Sequence, residues 1–416
     1  MKSMTTTLPS EAAYSGTERI ARRLLLGALD NLEHGRLTLT ESDGTVHEFI
    51  GKHNPGLSGN VQILDPKFFI RVLSSGSRGA GESYMSNEWD STDLTSVFRI
   101  AALNQSMWQS LERGWARLSL PASRIHHWFN RNTRSQSRRN ISAHYDLGND
   151  FFELFLDPTM MYSCGVFENS TDSMERASNR KNELICQKLQ LQPSDHLVEV
   201  GTGWGGFALH AAKHYGCRIT TTTISKRQFE LASQRIRAAG LDNQVTVLLE
   251  DYRDLTGTFD KLVSIEMIEA VGWEHYDTYF KSCSELLNDR GLMLVQAITV
   301  PDNGFEDAKR HVDFIKRYVF PGGCLPSVQA MVAAARKVTD LQLIQLDDIG
   351  AHYVRTLRAW LARFDANKRK VVGLGYDQRL IRLWRFYLCY SEAAFAERST
   401  SNVHALFAKP GYRDTR

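Results

Sequence analysis

Within HLVEVGTGWGGFALHAA, residues 196–212, an acid is followed by glycines at a spacing that can cradle a nucleoside-bearing ligand. Gly201, Gly203 and Gly206 satisfy G-x-G-x-x-G, and Gly205 lies among them. Glycine permits the positive φ of a tight turn, lets the backbone approach a ligand and keeps helix and strand close. LVEV reads as a buried strand, and Gly206 to Lys213 as the opening of a helix, which is the context such a turn needs. Glu199, just ahead of the first glycine, directs a carboxylate into the turn, where it repels a pyrophosphate and suits the ammonium end of an amino-acid-bearing cofactor. S-adenosylmethionine therefore fits better than NAD. The second strand is followed by hydroxyl residues, TTTIS at 221–225, with no acid for the ribose hydroxyls of a dinucleotide.

The elements that must position this turn follow from pattern. A helix over residues 175–190 precedes the first strand. CRITTTTI, QVTVLL, FDKLVSI, GLMLVQAI and LQLIQL then alternate with helices as in a doubly wound sheet, and VHALFAK closes it as an antiparallel strand. Two amphipathic helices within 352–397 are longer than sheet coverage requires. Tyr353, Leu357, Trp360, Leu361 and Phe364 share a face in the first, and Leu380, Leu383, Trp384, Tyr387 and Leu388 in the second. Arg355, Arg358, Arg363, Arg382 and Arg385 lie opposite, so the pair suits an acyl-chain tunnel with a phosphate at its mouth.

Ahead of this domain, residues 1–16 are rich in Ser and Thr, and Thr17 is the expected cap of a helix with Ile20, Leu24, Leu25, Leu29 and Leu32 on one face. A hairpin turns at Ser42-Asp43-Gly44, VQILD follows as a strand, and a helix capped at Ser91 or Thr92 comes after Tyr84, Met85 and Trp89, which are expected to pack against the next domain. The division is residues 1–125 as a small α+β domain, 126–140 as a basic linker and 141–416 as the larger domain. In the linker Arg131, Arg134, Arg138 and Arg139 stand without an acid beside Trp128 and Phe129, which suits an anionic lipid surface.

Composition restricts the alternatives. The 416 residues are 42% hydrophobic and 23% charged, and 50 basic against 47 acidic residues leave a net charge of +3, so attraction to anions must come from local clusters. The six cysteines have no C-x-x-C spacing and follow no secretory signal, so they read as reduced cytosolic thiols. No apolar run reaches the roughly 18 residues of a membrane span. The Asn/Asp-Pro-Pro-aromatic motif of nucleic-acid methyltransferases is absent, and no nucleic-acid partner is expected.

Several longer motifs carry a resemblance: HYDLGNDFFELFLDPTMMYSCGVF at 144–167, VEVGTGWGG at 198–206, TISKRQ at 223–228, IEMIEAVG at 265–272 and FPGGCLPS at 320–327. With GESYMSNEWDSTDL near the N-terminus, they resemble the cyclopropane-fatty-acyl-phospholipid synthases, S-adenosylmethionine-dependent methyltransferases of unsaturated acyl chains. The resemblance implies a Rossmann-like class I methyltransferase domain, a smaller N-terminal α+β domain and helical lipid-binding insertions. It implies that Tyr145, Tyr162, Ser163 and Cys164 close over the cofactor, with Gly201 and Gly203 beneath its methionine part. It also directs Thr222, Ser225 and Gln228 toward the ribose, and Asp251 with Tyr252 toward the adenine.

The same resemblance implies a bound bicarbonate as proton acceptor, held by the Cys164 backbone, Glu269, Gln296, Ile298 and Tyr353. Two positions depart from many members. Gln296 stands where histidine is common, although plant-type members also carry glutamine, and a neutral amide hydrogen-bonds an anion without acting as a base. Ser391 replaces a cysteine, and Cys389 points elsewhere on a helix, so no thiol nucleophile is expected. The implied product is a cyclopropane fatty acid; a methyl- or methylene-branched chain arises if the same cation loses its proton by another route. A cytoplasmic enzyme peripherally bound to the inner face of the membrane is implied, and a homodimer is allowed.

Overall fold

The computed structural model describes residues 14–108 and 147–413. Tyr145, the basic stretch 126–140 with Trp128 and Phe129, and residues 1–13 lie outside the described residues. The chain divides into two compact units: the described part of the first comprises 14–108, 312–319 and 368–399, and that of the second 147–311, 320–367 and 400–413.

The first unit is built on a four-stranded sheet in the order β2-β1-β3-β4. β1 (His34–Thr40) and β2 (Val46–Ile50) form the expected hairpin, and β3 (His53–Ile63) runs parallel to β1 with β4 (Trp89–Asp90) antiparallel to it. The first helix, Gly16–Leu29, is capped by Ser15 and not by Thr17, because Glu18 completes a reciprocal capping box with Ser15. Its buried stripe is Ala21, Leu25 and Leu29, whereas Ile20 and Leu24 are exposed. Asp93, not Ser91 or Thr92, caps the helix Leu94–Leu103: its carboxylate accepts the Ser96 amide, while the Ser91 hydroxyl donates to the Asn60 side chain and the Thr92 hydroxyl accepts from it.

The largest departure is the helix Gln378–Ala396, which belongs to this first unit and not to the larger domain in which its sequence position placed it. Its Phe386 ring lies 5.9 Å from Tyr84, 4.6 Å from Phe98 and 4.3 Å from Phe314. Arg382 donates to the carbonyls of Tyr84 and Trp89 and pairs with Asp90. Tyr84, Met85 and Trp89 are thus core of their own unit.

The second unit holds a seven-stranded sheet of β5 (His196–Val200), β6 (Arg218–Thr222), β7 (Val245–Leu248), β8 (Phe259–Ile265), β9 (Leu287–Thr299), β10 (Gln342–Asp348) and β11 (Ser401–Ala408). The order is β10-β11-β9-β8-β5-β6-β7, with β11 antiparallel to both neighbours. Helices cover both faces, which is why these strands read as near-continuous apolar runs. Val198, Leu262, Met293 and Val295 face one core with Tyr279 and Phe280, while Leu197, Val263, Leu292 and Leu294 face the other with Ile185 and Phe207. The sheet is a doubly wound, Rossmann-like architecture. Chain order reverses between β5 and β8, the crevice where such sheets bind ligands. All six cysteines are buried and none is in a disulfide.

Candidate active site

The glycine turn leaves β5 in three left-handed steps, with φ of +103° at Gly201, +52° at Gly203 and +83° at Gly205. The amides of Gly201 and Thr202 donate to the Thr222 carbonyl, so the end of β6 braces the turn. A Cβ placed on Gly203 would meet nothing within 4 Å, so the turn presents open space on that side. Gly206 is required for a different reason: a Cβ there would stand 2.5 Å from the Thr159 carbonyl and 2.6 Å from the Met161 sulfur. Arg235 ties the two segments together, donating to the Trp204 carbonyl at 2.6 Å and to Thr159 at 3.2 Å.

Glu199 is buried at the end of β5 and accepts the Thr221 hydroxyl at 2.7 Å. Burial pushes its carboxyl up to about 8, against the opposing pull of Thr221 and the Lys181 ammonium. A cationic ligand would favour ionisation, so this buried acid and the open glycine cradle fit the methionine end of S-adenosylmethionine. The other expected cofactor residues have local partners. Ser225 caps the helix Lys226–Ala238, Gln228 accepts the Thr223 hydroxyl at 2.8 Å, and Thr222 donates to the Glu250 carbonyl. Asp251 caps a short turn and pairs with Arg253 at 2.5 Å, and the Tyr252 ring lies 5.8 Å from Tyr279.

The polar centre of the unit is Glu266, a residue outside the expected set. It follows β8 directly and has φ +48°, a strained conformation for a residue with a side chain. Sheet register builds its surroundings: Ile265 pairs with Gln296, and Gln296 with His404. Glu266 Oε1 accepts the Cys164 amide at 2.9 Å, Gln296 Nε2 at 2.7 Å and Asn402 Nδ2 at 2.6 Å, while Oε2 accepts the Tyr353 hydroxyl at 2.6 Å. Burial raises the Glu266 carboxyl above the usual carboxylate range, with Tyr353, Cys164 and Gln296 opposing. His404, fully buried, is held neutral by burial and the nearby lysines; its Nε2 lies 3.1 Å from Gln296 Oε1 and its Nδ1 2.8 Å from Lys188. That pair of contacts fixes the imidazole tautomer and thereby turns the glutamine amine toward Glu266.

The five residues expected around bicarbonate resolve into two groups. Cys164, Gln296 and Tyr353 converge on Glu266, whereas Glu269 Oε1 accepts the Ile298 amide at 2.5 Å. Glu269 lies in the short helix Ile268–Val271, its carbonyl accepts the Cys324 amide from FPGGCLPS, and its Oε2 is buried without a hydrogen-bond partner. Burial, helped by the Glu266 charge, pushes Glu269 up to about 8. The donors expected to hold bicarbonate are directed at a carboxylate of the chain itself, so these residues do not fit a resident external anion.

The Cys164 thiol is raised by burial and by Glu266, which removes it as a nucleophile at neutral pH. Lys181, fully buried, reaches the Ser163 hydroxyl at 3.2 Å and is lowered to about 8 by burial, against Glu266 and Cys164. Beside this polar centre Tyr162 lies 5.4 Å from Phe152 and 5.2 Å from Trp360, and Trp360 lies 6.0 Å from Tyr353. The helix Gly350–Ala366 supplies Tyr353 and Trp360, but its arginines serve the backbone: Arg355 donates to the carbonyls of Asn169 and Ser170, and Arg363 to those of Phe155 and Leu156. With Arg382 also spent on carbonyls, the expected arginine phosphate clamp is not formed by these three.

Glu266 had a signal in sequence, as an acid at the carboxyl end of an apolar strand in IEMIEAVG. Asn402 and His404 had only their alternation on the closing strand, and Lys181 had none.

Residues 132–405 match the family model described as mycolic acid cyclopropane synthetase. Tuberculostearic acid methyltransferase UfaA1 from Mycobacterium tuberculosis is 36% identical over 93% of this chain and 90% of its own length. Cyclopropane-fatty-acyl-phospholipid synthase from Escherichia coli K12 is 35% identical over 86% of this chain and 89% of its own. Among solved structures, mycolic acid cyclopropane synthase CmaA1 complexed with SAH and CTAB superposes with a TM-score of 0.61 at 30% identity, covering 65% of this chain and 98% of that one.

Proposed function

The chain belongs to the mycolic acid cyclopropane synthetase family of S-adenosylmethionine-dependent methyltransferases, and from that premise we propose that it alkylates the double bond of an unsaturated acyl chain carried on a phospholipid. The observation that carries this reading is a half-buried carboxylate with four hydrogen-bond donors at the carboxyl edge of the sheet, next to a wall of aromatic rings. Bound S-adenosylmethionine would supply an electrophilic methyl group for transfer to the alkene. The glycine turn and Glu199 hold the methionine end. An alkene is a poor nucleophile, and the cation left on the acyl chain is quenched by water, so the site must be dry. Phe152, Phe155, Tyr162 and Trp360 provide apolar lining, and their ring faces favour a nearby positive charge.

Loss of a proton from the transferred carbon closes the ring and gives a cyclopropane fatty acid, the product we assign. A branched chain without ring closure is the second reading, favoured by the 36% identity to a relative named as a tuberculostearic acid methyltransferase. No described helix is long and apolar enough to cross a membrane, and access to the acyl chain is assigned to peripheral docking through Arg131, Arg134, Arg138 and Arg139.

One experiment tests these assignments together. Purified protein is incubated with methyl-labelled S-adenosylmethionine and monounsaturated phospholipid vesicles, neutral or anionic, and the labelled lipid is identified by NMR. Upfield ring methylene protons identify a cyclopropane, and exocyclic methylene protons the alternative; label absent from every lipid refutes the function. Vesicle sedimentation in the same samples should favour anionic lipid and weaken with salt. Equal binding to neutral lipid removes the docking role. Gly203→Val fills the open side of the turn and strains a φ of +52°, so cofactor affinity by calorimetry should fall at least tenfold while the protein stays folded. Unchanged affinity refutes the cradle assignment.

A further inference from the structure

We propose that Glu266 is the proton acceptor of this reaction, a carboxylate built into the chain where the resemblance implies an external bicarbonate. The inference deepens the alkene-alkylation reading above and depends on it.

Hydrogen counting supports it. The Cys164 amide and the Tyr353 hydroxyl each carry one hydrogen, and each is directed at Glu266. The Gln296 amine has two, one directed at Glu266 Oε1 and the other toward the Cys164 carbonyl at 3.5 Å. Asn402 adds a further donor to Oε1. A carboxylate and a bicarbonate are both planar anions with two acceptor oxygens, so one donor set can satisfy either but not both. A second anion beside Glu266 would meet its charge at close range in a buried site. Glu269 and Ile298 are already bonded to each other and leave no amide for it.

The two oxygens of Glu266 have unequal loads. Among the described residues Oε1 accepts three donors and Oε2 one, so Oε2 retains the capacity to take a proton. Tyr353 joins that oxygen to the aromatic wall, because its hydroxyl bonds Oε2 while its ring packs at Trp360. All four donors are neutral groups; they orient the carboxylate, and although Tyr353, Cys164, Gln296 and the Lys181 charge pull its carboxyl down, burial outweighs them. The positive φ of Glu266 is a backbone cost held in place by this arrangement.

The step balances within the site. A C–H bond of the transferred carbon breaks, and its electron pair forms the third bond of the ring; in the branched alternative a 1,2-hydride shift first moves the cation to the methyl-bearing carbon, and the pair then forms an exocyclic C=C bond. The proton bonds to Glu266 Oε2. Cation and carboxylate become neutral lipid and neutral acid, and the acid returns its proton to water between turnovers.

The test uses the full chain in carbon-dioxide-free buffer, with and without added bicarbonate, for wild type, Glu266→Gln and Glu266→Gly. Initial rates on phospholipid vesicles are paired with NMR line broadening of carbon-13 bicarbonate, which reads the pocket without turnover. Calorimetric affinity for S-adenosylmethionine verifies folding. Wild type should turn over equally with and without bicarbonate and should not broaden its signal. Glu266→Gln should lose about 10²- to 10⁴-fold in rate, the usual worth of a positioned base, and bicarbonate should not restore it. Glu266→Gly opens the donor ring, so it should bind bicarbonate and recover part of its rate with saturable dependence. A wild-type rate that collapses on depletion and returns with bicarbonate overturns the proposal, as does near-normal turnover in Glu266→Gln. If wild type labels no lipid under any condition, the alkylation reading fails, and bicarbonate broadening that is as strong in wild type as in Glu266→Gly then overturns the assignment of the pocket separately.

Discussion

Each unit contains a buried carboxylate with several donors, and the two behave oppositely. In the first unit Glu41, 2% exposed, accepts Arg22 Nη2 at 2.6 Å, His47 at 2.5 Å and the Tyr14 hydroxyl. Although burial opposes ionisation, His47, Arg22 and Tyr14 hold this carboxyl down to about 2. In the second unit Glu266 has four donors, but they are an amide N–H, two side-chain amides and a phenol, and burial prevails. Donor count is therefore a poor guide to what a buried acid does. A guanidinium makes an anchor, whereas neutral groups leave a base that is held in position.

The largest expected effect tests the anchor. Glu41→Gln strands Arg22 in a largely buried site, and breaking such a pair costs about 3–5 kcal/mol. Denaturant unfolding should show that loss, with methyl transfer per folded molecule retained; a cost under about 1 kcal/mol would make the anchor and the base alike. Next comes Tyr353→Phe, which removes the one donor on Glu266 Oε2. A hydrogen bond to a charged group contributes about 1.5–3 kcal/mol, so turnover should fall about 10- to 150-fold with cofactor affinity unchanged. Equal kcat for the two proteins would separate the phenol from the chemistry.

The smallest effect is on pH dependence. Glu269 is raised from its ordinary 4.5 to about 8, so between those values the folded protein holds a proton that the unfolded chain releases. Its contribution to stability is present below about pH 4.5 and is lost as pH rises through 8. The sign for Glu41 is the reverse: lowered to about 2, it contributes above 4.5 and the contribution is lost as pH falls through 2. From pH 5 to 8 the Glu41 contribution is constant while that of Glu269 declines. Glu269→Gln should flatten the fall in Tm over this range by about 2–4 °C for each kcal/mol relieved, and Glu199, also raised to about 8, should keep part of the slope. A Tm profile identical to wild type would show that Glu269 carries no such charge cost.

These contrasts explain which parts could be read from sequence. The glycine turn was legible because its requirement is local: positive φ at Gly201, Gly203 and Gly205 demands glycine whatever the rest of the chain does. The strands of the second sheet were legible because burial on both faces writes continuous apolar runs. The Glu266 site was not, because its donors come from Cys164, Gln296, Tyr353 and Asn402, brought to one place by strand order and register. Amphipathic spacing identified the helix Gln378–Ala396, but spacing does not name the partner, and Phe98 and Phe314 in the first unit occupy its apolar face. Arginines at helical spacing likewise indicate a polar face without revealing that Arg355 and Arg363 end on carbonyls.

The six buried thiols give the molecule an internal clock for its own opening. A thiol reacts with an alkylating reagent only when exposed and ionised, and burial withholds both conditions; Cys217, for example, is pushed up to about 11. Modification therefore waits for local or global unfolding. Cys389 belongs to the first unit and Cys164, Cys186, Cys217, Cys283 and Cys324 to the second, so the order in which their peptides gain mass records which unit opens first.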